Sequence, residues 1–123
     1  MSNKPMHLSG TGKEILENII GALEIGRPLG IKIALAKGIA TSEGKITKEY
    51  KDSLKKWTIP DNIIKENEFT LFKHLIINEV DKSLTNEELH EHILLFIECG
   101  LRYIDHQLKN LNSLEDARIK ILN

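Results

Sequence analysis

Three residues in one C-terminal stretch are of types that hold metal ions. His92, Cys99 and His106 stand seven apart each time, so on a helix they share one face. Seven helical residues rise about 10 Å, whereas zinc holds its ligands at about 2.0–2.3 Å. One helix therefore cannot close all three on one ion. His90 and His92, two apart, leave a helix in different directions. The histidines are read as surface or helix-packing residues, and no metal or cofactor is expected. Cys99 falls in mid-helix beside core residues rather than at a helix N-terminus, where thiolates are favoured. It is read as a buried, inert thiol.

Two further patterns touch on chemistry. "SGTGK" at 9–13 is a fragment of a phosphate loop, without the full spacing or a strong preceding strand. The carboxylate pairs Glu87–Glu88 and Glu115–Asp116 fall in helix first turns, where they complement the helix dipole. No enzyme is expected from these residues.

The remaining signal is charge. The chain carries ten Lys or Arg against six Asp or Glu through Pro60, a balance of +4, and seven against twelve from Asp61 on, a balance of −5. These sum to the net −1 of the whole chain. Two such halves suggest two surfaces with different partners. In the basic half, "IGRPLGIKIALAKG" places a turn before Pro28, a residue suited to the first turn of a helix. The unpaired N–H groups of a helix start are a seat for phosphate. Arg27 flanks that seat, Lys32 lies about one turn on, and Lys13 lies near the start of the preceding helix. Lys45, Lys48, Lys51, Lys55 and Lys56 follow. The DNA-binding candidates are Lys13, Arg27, Lys32, Lys37 and Lys45, acting on the phosphate backbone without reading sequence.

These residues need elements to position them. "PMHLS" is short and extended. Thr11 and Glu14 have capping-box spacing, and Ile15, Ile19, Ile20 and Leu23 form a helical stripe, predicting a first helix from Gly12 to about Glu24. A second helix from Pro28 carries Leu29, Ile31, Ile33, Leu35 and Ile39 around most of its circumference and is expected to be largely buried, with Lys32 and Lys37 reaching out. Residues 45–64 are read as a mobile linker or a short helix from Thr47 to Trp57, ended by Pro60. "NEFTLFKHLIINEV" predicts a third helix with Phe69, Phe72, Leu75, Ile76 and Val80 along its core side. Thr85 and Glu88 again have capping-box spacing, opening a long helix to about Leu111. Its packed face is Ile93, Phe96, Ile97, Gly100, Ile104, Leu108 and Leu111. Gly100 costs up to about 1 kcal/mol against alanine in mid-helix, which predicts close approach by another backbone. "SLEDARIKIL" predicts one more short helix.

With few strand signals, the expected fold is all-α. It is a compact helical domain over residues 1–123, with a short N-terminal extended segment, assembling as a homo-oligomer. The chain has 123 residues, 41% hydrophobic and only 5% aromatic, so its core is aliphatic and modest. The single cysteine cannot form an internal disulfide, no apolar run approaches the roughly 20 residues that span a bilayer, and "MSNKPMHLSG" lacks a signal-peptide core. A cytoplasmic location is expected.

The order of these elements carries a resemblance. "MHLSGTGKEILENIIGALEIGRPLGIKIALAKGIA" resembles the opening of the DNA sulfur modification protein DndE family. "FTLFKHLI" is similar to that family's middle helix, and "IECGLRYI" to its closing Gly-containing helix, so the likeness covers residues 6 to about 108. Where the family often carries a basic His- and Arg-containing stretch before the last-helix glycine, this chain has Phe96, Glu98 and Cys99, and keeps Gly100 and Tyr103. The resemblance implies a small all-α homotetramer acting in bacterial DNA phosphorothioation, in which sulfur replaces a non-bridging phosphate oxygen. It implies a non-catalytic member that binds nicked double-stranded DNA through surface lysines. The sulfur chemistry would belong to other DNA sulfur modification proteins, including a cysteine desulfurase and an iron–sulfur protein.

Two alternatives belong to other classes. A ribbon-helix-helix regulator would pair "MHLS" strands across a dimer and read bases from them. A protein-interaction adaptor would present Glu87, Glu88, Glu91, Glu98 and Asp105 to a basic partner and bind no DNA. An enzyme using Cys99 as a sulfur carrier is the outside case.

Overall fold

The computed structural model describes residues 6–42, 56–60 and 63–110. The elements run β1 (Met6–Leu8), α1 (Gly10–Leu23), α2 (Arg27–Thr41), β2 (Trp57–Ile59), α3 (Glu66–Val80) and α4 (Asn86–Lys109). The protein is mostly helical, but the all-α expectation needs one correction. β1 and β2 pair antiparallel, with Met6 opposite Ile59, His7 opposite Thr58 and Leu8 opposite Trp57. Trp57 therefore stands in a strand and not at a helix end. The reason is burial: Met6, Leu8 and Ile59 point into the core, while His7 Nδ1 and Thr58 Oγ1 meet on the outer face at 2.9 Å. Ile63 and Ile64 are also buried, so Ile59, Ile63 and Ile64 of the expected linker belong to the core. Residues 43–55, with Thr47 and Lys45, and the helix expected at 113–122 lie outside the described residues.

α4 is the scaffold on which the rest is assembled. It packs most extensively on α2, and also on α1, β1 and α3. Its buried face runs through Leu89, Ile93, Phe96, Ile97, Gly100, Leu101 and Ile104, close to the stripe expected from the 3–4 spacing. The α2–α4 crossing is set by two glycines. A Cβ on Gly100 would overlap the Ala34 carbonyl oxygen, and one on Gly38 would overlap the Phe96 carbonyl oxygen. Gly100 does admit another backbone, and the contact is reciprocal.

Helix ends follow local chemistry. Thr85 Oγ1 accepts from the Glu88 N–H at 3.2 Å and Glu88 Oε1 accepts from the Thr85 N–H at 3.0 Å, which completes the expected box. At α3 the Glu68 carboxylate accepts from the Lys65 N–H at 3.0 Å. The box expected at Thr11 does not form. Ser9 is the N-cap of α1 and draws the helix start back to Gly10. Its hydroxyl accepts from the Gly12 N–H at 2.9 Å. Glu24 and Asp81 end α1 and α3 in the left-handed region, with φ of 57° and 56°.

Two of these caps give stability an acid dependence. The Thr85 N–H and hydroxyl hold the Glu88 carboxyl below its usual range, and the Lys65 N–H together with Lys32 does the same to Glu68. Each carboxyl binds its proton less readily folded than unfolded, so the unfolded chain takes up more protons. This contribution is complete above the ordinary Glu value of about 4.3 and is lost as pH falls through the depressed folded values. Thermal melts at pH 7 and pH 3 are expected to differ less for Glu88→Gln, which keeps a capping side chain but cannot titrate. An undiminished difference would show that the drop comes from elsewhere.

Two expected core residues are exposed. Leu29 is 48% exposed at the start of α2, and Leu75 is 41% exposed on α3, whose buried residues are Phe72 and Ile76. No helix among the described residues is long and apolar enough to cross a membrane.

Candidate nucleic-acid interface

The basic candidates are built on α1 and α2. Lys13 stands in the first turn of α1, and Glu17 follows it on the same face, four residues on. Arg27 opens α2 after the Glu24–Gly26 turn brings the chain back. Both cations converge on one carboxylate oxygen. Glu17 Oε1 accepts from Lys13 Nζ at 2.9 Å and from Arg27 Nε at 2.8 Å. The Arg27 and Lys13 hydrogen bonds hold the Glu17 carboxyl below its usual range, and Glu17 raises the Arg27 value in turn. Two cations thus share one carboxylate. The Arg27 side chain is 50% exposed. Exposed ion pairs contribute only about 0–1 kcal/mol, so exchanging Glu17 for a phosphate oxygen costs little. Lys13 Nζ also lies 5.5 Å from the centre of the Trp57 ring, which places the corner beside the β1–β2 ribbon.

The start of α2 is open. Gly26 is its N-cap, no side chain caps it, no acidic residue lies in its first turn, and residues 26–29 are exposed. The start of α1 is closed. Glu98 Oε2 accepts from the Ser9 N–H at 2.8 Å, and Glu98 Oε1 accepts from the Ser9 hydroxyl at 2.9 Å. Ser9 of the "SGTGK" fragment therefore holds a carboxylate of its own chain. Arg102 donates to the same Glu98 Oε1 at 3.0 Å. Glu98 is 2% exposed, so it does not join Glu87, Glu88, Glu91 and Asp105 in the outward acidic face expected of all five. Nothing in the local sequence distinguishes Glu98 from Glu91. The signal is Gly12, where a Cβ would meet Glu98 Oε1.

The other candidates do not join Lys13 and Arg27. An α-helix turns about 100° per residue, so Arg27, Lys32 and Lys37 leave α2 roughly 140° apart in succession. Lys32 faces α3, where its Nζ donates to Glu68 Oε2 at 3.0 Å and Oε1 at 3.3 Å. That part-buried pair ties α2 to α3, so Lys32 is a structural residue here. Lys37 is half-buried, about 15 Å along the helix from Arg27. Lys45 lies outside the described residues. Lys56, beside Trp57, is exposed.

The residues first considered for metal or thiol chemistry are held in local contacts. The His90 Nδ1–H donates to the Asn86 carbonyl at 2.7 Å, and that of His92 donates to the Glu88 carbonyl at 2.8 Å. His106 Nε2 lies 3.1 Å from the Asn110 amide. Among the described residues no three His, Cys, Asp or Glu side chains converge as metal ligands. Cys99 is half-buried rather than buried. β1 has its antiparallel partner within the chain, in β2, where a ribbon-helix-helix dimer would pair it with a second copy.

Comparison with known proteins adds no family. The chain matches no protein-family model, no curated protein and no solved structure.

Proposed function

We propose that this chain is a non-catalytic DNA-binding accessory protein that grips the phosphate backbone of double-stranded DNA, nicked DNA included. The observation that carries the reading is the convergence of Lys13 and Arg27 on the single carboxylate of Glu17, beside an open helix start. Phosphate oxygens would take hydrogen bonds from both cations and from the free N–H groups of the first turn of α2. Such contacts position a protein on a duplex without reading bases. The link to bacterial DNA phosphorothioation, with a homotetramer and separate sulfur-transferring partners in the cytoplasm, rests on the sequence resemblance alone.

Fluorescence anisotropy with matched intact and nicked duplexes, titrated over salt, tests the binding. Log affinity is expected to fall linearly with log salt, by about 0.9 per neutralised phosphate, and the nicked duplex is expected to bind more tightly. Replacing Lys13 and Arg27 by Gln should reduce the salt slope by roughly one to two. Lys32→Gln should leave the slope unchanged and lower the melting temperature instead. A folded protein that binds neither duplex at low salt would overturn the reading and favour the protein-interaction adaptor, sought by co-purification.

A further inference from the structure

Trp57 stands at the same corner as Lys13 and Arg27. It is half-buried in β2, opposite Leu8, and packs against the core. Lys13 Nζ lies over its ring, 5.5 Å from the centroid. The Lys13 side chain is 28% exposed, and a lysine keeps its charged head in water. The ring face beneath that head therefore opens outward rather than into the core. The same Nζ is 2.9 Å from Glu17 Oε1, the oxygen that also takes Arg27. One lysine thus touches both an aromatic face and the carboxylate that a phosphate would replace. Lys56, next to Trp57 in the chain, is exposed.

A phosphate alone has no use for an indole face, but a nucleotide does. It carries phosphate and base on one sugar. Cations beside an aromatic ring are the combination that holds single strands, with the charge on the backbone and a base stacked on the ring. Lys13 does not block this, because its ammonium rides on a flexible four-carbon stem. Moving it from the ring to a phosphate uncovers the face for a base. An intact duplex cannot use that face, since each of its bases is already stacked between neighbours. Taking a base out of the stack costs least where it is already unpaired.

We infer that Trp57 is the specificity-determining residue of this corner: it stacks on an unpaired base at a strand break, while Lys13 and Arg27 hold the adjoining phosphate. The inference rests on the DNA-binding reading and adds to it a physical cause for tighter binding to a broken duplex. Stacking does not depend on base identity, because every base has a π-face. The contact therefore selects for a break in the stack and not for a sequence. One stacked base is expected to raise affinity about tenfold.

Trp57 is the only tryptophan of the chain, so intrinsic emission reports on this ring alone. The full chain is titrated with an intact duplex and with the same duplex nicked and carrying one unpaired nucleotide at the nick. The broken duplex is expected to bind about tenfold more tightly and to quench Trp57 emission. The intact duplex should bind with little change in emission. In Trp57→Leu, followed by anisotropy, the ratio of the two affinities should fall to about one, and Trp57→Phe, which keeps a stackable ring, should restore part of it. Equal quenching by both duplexes, no quenching by the broken one, or a Leu variant that keeps the wild-type ratio would each overturn the inference and leave the phosphate grip standing. Binding of wild type to neither duplex would overturn both. Should the Leu variant fail to fold, the wild-type quenching decides between these outcomes.

Discussion

Gly100→Ala is expected to cost about 3 kcal/mol or more, at the upper end of the penalty for overpacking a core. At this size that lowers the melting temperature by roughly 12 °C or more. The new Cβ would overlap the Ala34 carbonyl oxygen. Backbone cannot rotate away as a side-chain tip can, so α2 must move off α4. That separation also loosens Ile31, Leu35, Phe96 and Ile97, which are buried across the same contact. Gly38→Ala meets the Phe96 carbonyl oxygen and should behave alike. Gly21 of α1 provides the opposite sign. A Cβ there meets nothing within 4 Å, so Gly21→Ala should stabilise the protein by up to about 1 kcal/mol. Thermal melts of the three variants decide the matter. Similar melting temperatures for Gly100→Ala and Gly21→Ala would mean that the helices do not cross this closely.

Glu98→Ala is expected to cost about 3–5 kcal/mol, the range for removing one partner of a buried ion pair. The carboxylate accepts from Arg102, from the Ser9 hydroxyl and from the Ser9 N–H. All three of its partners are donors. Glu98→Gln keeps the shape but turns one oxygen into an NH₂ group, which must face a donor at either position. It should therefore cost nearly as much as alanine. Gly12→Ala should also destabilise, since its Cβ would meet Glu98 Oε1. Urea denaturation reads these losses as shifts of the midpoint at constant slope. A Glu98→Gln variant within about 0.5 kcal/mol of wild type, the ordinary spread of a surface change, would remove the carboxylate from this role.

The candidate site was half legible. Lys13 and Arg27 stand out in the sequence because each lies at a helix start in the basic half. Their convergence on Glu17 does not stand out, because Arg27 reaches Glu17 only through the turn angle at Glu24–Gly26. Lys32 looks equivalent to Arg27 in sequence and is diverted by Glu68, 36 residues away.

Position along the chain separates what sequence determines here from what folding decides. The four helices among the described residues follow from apolar spacing and from breaks at glycine, proline or polar turns, and the Thr85–Glu88 cap from residues three apart. Such interactions close within one or two helical turns, so a short window of sequence contains both partners. The exposure of Leu75, the strand at Trp57 and the true start of α1 depend on partners that only the folded chain brings near. Thr58 meets His7 across 51 residues, and Glu98 meets Ser9 across 89. A glutamate in an amphipathic helix carries no local mark of being buried. The serine that meets it, and the glycine that leaves room for it, stand at the other end of the chain.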